Sequence, residues 1–491
     1  MILDATVCRA ALLARDARFD GVFFVAVSTT GIYCRPVCPA RAPRADRCAY
    51  FVHAAQAEAA GFRACLRCRP EVAPGGSRLH ASDVDARALL VRAAVAAIDR
   101  GGLVERSQDD LAASLGVTAR HLRRAVVEEL GITPVQLDRT RRFAIAKQLL
   151  HDSSVGLAEV GLAAGFGSVR RWNAAFRAQF ATTPSSFRRA RAGAGGRAEP
   201  ALVLRLDARP PFAGRALLGF LAARAIAGVE QIDGAEYRRT ALVDGHRGTL
   251  VARVVDEAPR PGLRLTVSAS LAPRLIAVVD RIRALFDLDA QPAVIAAHLG
   301  AAPQLQALVA REPGRRVPGA FDGFEVAVRT ILGQQVSVAA ATTLCARLVA
   351  QLGVPIATPW AGLDRLFPTP ELVAATSTTA LAALGLPSAR ASAIRTLAEA
   401  VLTGAVTLEP TTDPGAAMAA LLKLPGIGPW TASYLAMRVL RWPDGFPAGD
   451  LVIRRALTAS TDRAAEAASA AWRPWRAYAA MHLWANAQGG G

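Results

Sequence analysis

The sequence lacks long hydrophobic runs, and this absence argues against a protein built around membrane-spanning helices. No stretch of the 491 residues reaches the roughly 18 uncharged residues that a transmembrane helix needs. The first 18 residues contain Asp4, Arg9, Arg15 and Asp16, so they do not have the form of a signal peptide. We therefore expect a cytoplasmic protein with no membrane partner.

Lysine is almost absent, and acidic residues are outnumbered by basic ones. Only Lys147 and Lys423 occur among 58 basic residues, against 40 Asp and Glu, so arginine carries nearly all of a net charge of +18. Such a balance is typical of proteins that bind nucleic acid. An Arg- and Ala-rich codon usage would give the same composition without any function. The length favours three or four domains, and a hydrophobic fraction of 52% excludes a disordered basic tail.

Cysteine is nearly missing beyond residue 68, where only Cys345 remains of a total of seven. Such crowding argues against disulfides spread over a secreted protein, and clustered thiols in a reducing compartment more often bind metal. The six others include a C-x3-C pair and a C-x2-C pair, 26 residues apart, which is close to the spacing of a four-cysteine zinc site. Cys48 as a substitute ligand, and thiols that are merely buried, are the alternatives. The predicted zinc ligands are Cys34, Cys38, Cys65 and Cys68.

Changes of composition and period divide the chain. Pro- and Gly-containing residues 70–80 and Gly/Ala/Arg-rich residues 188–200 predict linkers. Apolar residues recur with a helical period from about residue 83 to 189 and again beyond Leu271. Over much of 201–268 apolar and polar residues alternate, as they do in half-buried strands. We predict a multidomain chain: a small zinc-bound α+β domain, an all-α double helix-turn-helix domain, an α+β subdomain and an all-α domain. The predicted ranges are 1–76, 80–190, a linker at 191–200, 201–312 and 313–491.

The cysteine region has a specific resemblance. The segments FFVAVSTTGIYCRPVCPAR (23–41) and AAGFRACLRCRPE (59–71) resemble the N-terminal domain of the Ada family of bacterial DNA repair regulators. The resemblance implies that Cys34 takes a methyl group from a methylphosphotriester in DNA and keeps it. Methylation would change the formal charge of a zinc–tetrathiolate site from −2 to −1, so we expect specific DNA binding to tighten. A zinc-binding DNA clamp without methyl transfer is the alternative.

A helix, a Gly-containing turn and a second helix occur twice, in residues 108–130 and 157–180, with Thr118 and Ser168 as predicted helix caps. The region from about 83 to 191 resembles an AraC-type DNA-binding domain, which implies recognition helices at 118–129 and 168–180. Arginines on a merely solvated helix face are the alternative. The residues expected to face DNA are Arg120, His121, Arg123 and Arg124 in the first helix and Ser168, Arg170, Arg171 and Asn173 in the second.

The segment LPGIGPWTASYLAMR (424–438) places Gly426 and Gly428 in a tight turn between helices, where backbone amides can approach a phosphate. It resembles the helix-hairpin-helix of DNA glycosylases. Asp450 follows, before an apolar helical run, and can act as a helix N-cap, as a catalytic carboxylate, or as both. With residues 321–341 and 472–484, these features resemble the AlkA family of alkylated-base glycosylases. The resemblance implies that the strand-rich region is an α+β, TATA-binding-protein-like subdomain and the last region a helix-hairpin-helix glycosylase domain.

The AlkA resemblance implies hydrolysis of the N-glycosidic bond of alkylated bases of the 3-methyladenine type. Asp450 would stabilise the cationic sugar and orient water. Trp430, Tyr434 and Trp484 would hold the flipped cationic base on their aromatic faces, ordinary core aromatics being the alternative. Gln335 stands where the AlkA family has a leucine wedge, and a glutamine can fill the same gap while hydrogen-bonding to the orphan base.

The sequence thus predicts a bifunctional regulator and repair enzyme: a methyl acceptor, a transcription activator and a glycosylase on one chain. Zinc is the predicted cofactor. The predicted partners are alkylated and promoter double-stranded DNA, with RNA polymerase as the partner of an activator, and the expected state is a monomer. The alternative is a methylation-sensing transcription regulator whose C-terminal half only binds damaged DNA.

Overall fold

The structure, a computed structural model, describes residues 4–75, 86–104, 106–189, 201–256, 260–410 and 413–489. Parts of both predicted linkers, residues 76–80 and 190–200, lie outside the described residues. In the described part of the chain, no helix is long and apolar enough to cross a membrane. The chain forms two compact units, of which the first comprises Met1–Pro210, Glu257–Asp280 and Leu288–Ala290. The second comprises Pro211–Asp256, Arg281–Asp287 and Gln291–Gly491.

A small four-stranded sheet opens the first unit, in the order β3-β1-β2-β4, with only the β2–β4 pair parallel. Successive side chains of β1 point to opposite faces of the sheet. Val25 packs towards the first helix, while Phe24 and Ala26 pack with Tyr33 on the other face. The predicted α+β fold is confirmed. Its elements are α1 (Ala5–Ala14), β1 (Phe24–Val27), β2 (Ile32–Cys34), β3 (Cys48–Phe51), α2 (Ala54–Ala59) and β4 (Arg63–Ala64).

Helices follow in the described part of the first unit, and both predicted helix-turn-helix pairs are present. Gly116 and Gly165 end the first helix of each pair with φ of 72° and 84°, a left-handed backbone that favours glycine. Thr118 Oγ1 accepts a hydrogen bond from the His121 amide at 3.2 Å, so this predicted cap is confirmed. The helices are α3 (Ala86–Asp99), α4 (Gln108–Ser114), α5 (Ala119–Leu130), α6 (Pro134–Asp152), α7 (Leu157–Ala163), α8 (Val169–Phe180) and α9 (Pro184–Arg189).

The strand-rich region contributes segments to both units. These elements are β5 (Ala201–Asp207), α10 (Gly214–Ala222), β6 (Glu230–Asp233), β7 (Glu236–Val243), β8 (His246–Val255) and β9 (Gly262–Ser268). Within the first unit, β5 pairs antiparallel with β9. Within the second unit, β6, β7 and β8 form an antiparallel meander. In this region the alternating pattern predicted every described strand except β6, which has only one apolar residue. The predicted domain limits, residues 201 and 312, stay predictions.

Beyond Leu271 the chain is helical, as predicted. The centre of this region is a core in which α14, α18 and α20 bury apolar residues such as Ile331, Leu397 and Leu435. The helices are α11 (Leu275–Leu285), α12 (Pro292–Gly300), α13 (Pro303–Arg311), α14 (Gly323–Leu332), α15 (Val338–Leu352), α16 (Pro370–Ala375), α17 (Thr378–Ala382), α18 (Ser388–Leu402), α19 (Pro414–Leu421), α20 (Pro429–Arg438), α21 (Leu451–Ala456), α22 (Asp462–Ala468) and α23 (Arg476–Gly489).

Candidate functional sites

Four cysteine side chains meet at the end of β2. The Sγ atoms of Cys34, Cys38, Cys65 and Cys68 lie within 4.8 Å of one another. Sulfurs at about 2.3 Å from a tetrahedral zinc ion would lie about 3.8 Å apart, so the cluster has the size and the donor chemistry of such a site. Three of the cysteines are buried, and Cys34 is partly exposed. The predicted metal ligands therefore come together, and Cys34 is the thiol within the cluster that a substrate can reach most easily.

The two other cysteines of this region lie outside the cluster. The Cys48 thiol donates a hydrogen bond to the Arg44 carbonyl at 3.2 Å, which directs it away from a metal-binding role. Cys8 is buried against Phe23, and this burial raises the pKa of its thiol. The substitution of Cys48 for one of the four ligands is therefore not supported.

An arginine that the sequence did not single out holds the cysteine loop. The Arg35 amide donates to Cys68 Sγ at 3.4 Å, and its Nη1 donates to the Cys68 carbonyl at 3.2 Å. The guanidinium is 1% exposed and forms ion pairs with Asp20 and, at 2.9 Å, with Asp207 on β5. Burial would raise the pKa of Asp207, but Arg35 and Arg260 outweigh it and hold that pKa below its ordinary value. The loop that carries Cys34 is thus anchored by buried ion pairs within the first unit.

Buried polar contacts also join the cysteine region to α6. The Glu58 carboxylate accepts hydrogen bonds from the Tyr33 hydroxyl at 2.9 Å and from Thr140 Oγ1 at 2.7 Å. Lys147 Nζ pairs with Glu71 Oε2 at 2.9 Å, and both side chains are buried. Tyr33 directly precedes Cys34 on β2, so the cysteine loop has a continuous polar connection to the helix between the two helix-turn-helix pairs.

The predicted recognition helices each have one buried and one exposed face. On α5, Leu122, Ala125 and Val126 are buried, and on α8 the buried residues include Trp172 and Phe176. Ser168 is half-buried, and its Oγ accepts a hydrogen bond from the Arg171 amide at 3.2 Å as the predicted cap. The other residues predicted to face DNA are exposed. These are Arg120, His121, Arg123 and Arg124 on α5, and Arg170, Arg171 and Asn173 on α8.

Asp450 is the N-cap of α21, and its carboxylate also accepts hydrogen bonds from two tryptophans. Its Oδ1 accepts hydrogen bonds from the amides of Val452 at 3.0 Å and Ile453 at 3.1 Å. The same oxygen accepts from Trp484 Nε1 at 3.0 Å, and Oδ2 accepts from Trp430 Nε1 at 3.2 Å. Two indole groups 54 positions apart therefore orient one half-buried carboxylate.

The three predicted pocket aromatics surround this carboxylate. The rings of Trp430 and Tyr434 stack at 5.2 Å with an interplanar angle of 12°, and Tyr434 lies 6.1 Å from the ring of Trp484. All three residues are half-buried, unlike ordinary core aromatics. Arg438, one turn along α20, donates to the Tyr434 hydroxyl at 2.6 Å. Burial would raise the pKa of Tyr434, but Arg438 and Arg224 outweigh it and lower that pKa.

Sequence reasoning missed Arg438, although the signal was available. It lies four residues after Tyr434 in the motif, and residues at i and i+4 are neighbours on a helix surface. Its guanidinium also donates to the backbone carbonyls of Pro318 and Gly319, which fixes the position of Arg438 beside Tyr434.

The turn between α19 and α20 is exposed, as a phosphate-binding hairpin requires. Gly426 has φ of 83°, and a Cβ there would lie 2.8 Å from the Cβ of Ala393, so this position requires glycine. Gly428 is the N-cap of α20 with an extended backbone and open space around it. Apart from Pro429, which has no backbone N–H, the first-turn amides of α20 have no intrahelical acceptor and are available to an anion.

Gln335 lies in the loop between α14 and α15. It is exposed and has φ of 55°, a left-handed conformation that is uncommon for a residue other than glycine. The structure thus places the predicted wedge residue at the tip of a short loop, beside the hairpin described above.

Comparison with known proteins matches four families in order along the chain. They are the metal binding domain of Ada (residues 7–71), a helix-turn-helix domain (111–190), the AlkA N-terminal domain (203–322) and the HhH-GPD superfamily of base excision DNA repair proteins (328–475). The chain is 40% identical over 489 residues to the "Probable bifunctional transcriptional activator/DNA repair enzyme AlkA" of Mycobacterium tuberculosis, covering 97% of this chain and 95% of the relative.

Two further comparisons concern the C-terminal half. The chain is 37% identical over 287 residues to DNA-3-methyladenine glycosylase 2 of Escherichia coli, which covers 57% of this chain and 95% of the relative. A solved structure, the 3-methyladenine DNA-glycosylase from Archaeoglobus fulgidus, has the same fold with a TM-score of 0.51. That match has 20% sequence identity and covers 58% of this chain and 98% of the other.

Proposed function

The chain belongs to the family of bifunctional transcriptional activators and DNA repair enzymes of the AlkA type, and from this premise we propose which of its residues carry out each activity. Cys34 accepts a methyl group from a methylphosphotriester, α5 and α8 bind promoter DNA, and Asp450 serves the hydrolysis of the N-glycosidic bond of alkylated bases. The observation that supports this assignment best is the Asp450 carboxylate, which two tryptophan N–H groups orient beside a half-buried aromatic group.

Base excision begins with a base that leaves readily. A base methylated at a ring nitrogen is cationic, so it departs as a neutral molecule with the electrons of the C–N bond. The positive charge that develops on the sugar is stabilised by the Asp450 carboxylate. Water then attacks the anomeric carbon and gives a proton to Asp450, whose Oδ2 accepts a single hydrogen bond from Trp430 and keeps lone pairs for this role.

The aromatic residues would select the base before it leaves. A cationic ring is attracted by the electron-rich faces of Trp430, Tyr434 and Trp484, whereas a neutral base gains less from them. Gln335 would enter the duplex and fill the space that the flipped base vacates. Gly426 and Gly428 would hold the DNA backbone through the amides at the start of α20.

Methyl transfer would use the cysteine cluster. Zinc is the metal that four thiolates in this arrangement fit, and when bound it would keep the cysteines deprotonated. Cys34 attacks the methyl carbon of the triester, a C–S bond forms, the C–O bond breaks and the phosphodiester leaves as an anion. The product thioether is neutral, so repulsion between the site and DNA phosphates falls and promoter affinity rises.

The proposal also includes a partner, an oligomeric state and a location for the protein. RNA polymerase as a partner, a monomeric state and a cytoplasmic location are consistent with a regulator that binds promoter DNA through exposed arginines. The alternative function, a regulator whose C-terminal half binds damaged DNA without cutting, differs from the proposal in one outcome, the release of free base.

The decisive experiment measures that release. Purified full-length protein loaded with zinc is incubated with methylated duplex DNA, and free 3-methyladenine is quantified for the wild type and for Asp450→Asn. The proposal expects release by the wild type and strongly reduced release by the variant. Without release by the wild type, only the DNA-binding alternative would remain for the C-terminal half.

A further inference from the structure

One side chain connects the two segments that touch DNA in the proposed function. The wedge loop, residues 333–337, contains Gln335 at its tip, and the hairpin, residues 424–431, contains the two glycines. Gln334 Nε2 donates hydrogen bonds to the Gly426 carbonyl at 2.9 Å and to Thr431 Oγ1 at 3.0 Å. Because a carbonyl can only accept, the amide nitrogen of Gln334 must face the hairpin.

The wedge loop is also held by residues outside the hairpin. Arg390 on α18 donates to the Leu332 carbonyl at 3.2 Å and to the Gln334 carbonyl. Ser337 caps α15 by accepting from the Ala340 amide at 3.2 Å. Both ends of the loop and the side chain of Gln334 are therefore occupied in structural contacts.

The middle of the wedge loop is free to contact DNA. Gln335 and Val336 are exposed, and the backbone at Gln335 is left-handed. A non-glycine residue keeps such a conformation when the surrounding contacts determine it, and such positions cluster at functional sites. Gln334 and Arg390 supply those contacts here.

We propose that Gln334 is a positioning residue, which holds the wedge loop and the hairpin as one DNA-binding surface. This inference rests on the proposed function. A side chain that fills the gap of a flipped base must enter at a set distance from the phosphates that the hairpin holds, and a displacement of about 1 Å can cost a hundredfold in rate. Gln334 acts through Gln335 and does not itself touch the reacting atoms.

This role affects catalysis more than binding. Most of the affinity for DNA comes from phosphate contacts, which the hairpin keeps in the absence of the link. Loss of the link therefore lowers the rate of base release and leaves the concentration of DNA needed for half-saturation nearly unchanged. A purely structural role would change thermal stability and DNA affinity together.

The test compares Gln334→Leu, which keeps the size but not the donor, with Gln351→Leu as a matched control. Gln351 is an exposed glutamine on α15, outside the wedge loop and the hairpin. Single-turnover release of 3-methyladenine should fall by roughly ten- to a hundredfold for Gln334→Leu, with half-saturation within about threefold of the wild type. Gln351→Leu should equal the wild type. Fluorescence of 2-aminopurine opposite the lesion should report reduced base flipping only for Gln334→Leu.

A second pair of variants tests the link from the hairpin. Thr431→Ser keeps the hydroxyl acceptor, so its rate should exceed that of Thr431→Val, which loses the acceptor. The double variant Gln334→Leu/Thr431→Val should be no slower than Gln334→Leu, because both changes remove the same contact. Additive losses in the double variant would overturn the inference.

The inference and the proposed function can fail separately. If the wild type releases base and Gln334→Leu does so at the same rate, the inference is overturned and the proposed function stands. If the wild type releases no base, the proposed function fails, and the aminopurine signal alone decides whether Gln334 positions the wedge loop. An unchanged signal in Gln334→Leu then overturns the inference as well.

Discussion

Replacing Asp450 with asparagine separates the two roles of this residue, helix cap and carboxylate. Oδ1 receives three hydrogen bonds, from the amides of Val452 and Ile453 and from Trp484 Nε1. An amide oxygen can accept all three, and asparagine caps helices about as well as aspartate. The amide nitrogen would take the place of Oδ2, where it meets the N–H donor of Trp430 and cannot accept.

The variant should lose little folding stability and much transition-state stabilisation. One hydrogen bond is lost in the folded state, at a cost to the free energy of unfolding of about 1 kcal/mol. The carboxylate charge is lost in the transition state. At about 4 Å from a cationic sugar, with an effective dielectric constant of about 20, that charge contributes about 4 kcal/mol. This corresponds to a rate reduced by roughly a thousandfold.

The assay combines single-turnover release of 3-methyladenine with thermal unfolding of the same preparation. Asp450→Asn should be slower by about a thousandfold with nearly unchanged melting. Asp413→Asn is the matched control, because Asp413 caps α19 by accepting from the Gly415 amide at 2.8 Å and is exposed. It should keep the wild-type rate. A rate for Asp450→Asn within tenfold of the wild type would refute the electrostatic reasoning.

Four further predictions concern other parts of the chain. Cys34→Ser should retain some zinc but accept no labelled methyl group from DNA and gain no promoter affinity. Cys48→Ser should behave as the wild type. Methyl uptake by Cys34→Ser would show that another cysteine is the methyl acceptor. Asp207→Asn should lower the free energy of unfolding by about 3 to 5 kcal/mol in urea titrations, because it leaves the buried Arg35 and the partly exposed Arg205 and Arg260 short of their shared carboxylate; a change below about 1 kcal/mol would contradict the buried ion pair. Burial, with arginines nearby, lowers the pKa of His482 to about 4, so the unfolded chain takes up a proton first and stability falls as the pH drops from 6.5 towards 4. His482→Leu should remove up to about 3 kcal/mol of that pH dependence, and an unchanged slope would assign it elsewhere. Arg124→Ala should weaken promoter binding and reduce the salt slope by about one if the residue contacts phosphate, and unchanged binding would favour a merely solvated arginine.

Local rules explain what could be predicted. The caps at Thr118 and Ser168, the turns at Gly116 and Gly165 and the helical C-terminal region depend on residues a few positions apart. The metal cluster followed from two short thiol pairs. Strand β6 escaped prediction because it is short and mostly polar, and it exists through pairing with β7.

Long-range contacts explain what could not be predicted. Arg35 meets Asp207 across 172 positions of the chain, and nothing near either residue indicates the other. The link from Gln334 to Gly426 spans 92 positions. Trp484 and Asp450 were both expected in the site, but the hydrogen bond between them was not.

The sequence by itself determined which chemical groups this protein carries: four thiols, two predicted recognition helices, a glycine hairpin and an acidic residue after it. Each lies in a short segment whose residue types the chemistry requires. Only the tertiary structure decided how these groups are arranged. It left Cys34 more open than its three partners, oriented Asp450 with two indole groups, and joined the wedge loop to the hairpin. The physical reason is that exposure and hydrogen bonding depend on segments far apart in the chain that pack together, whereas caps, turns and ligand pairs depend on neighbours.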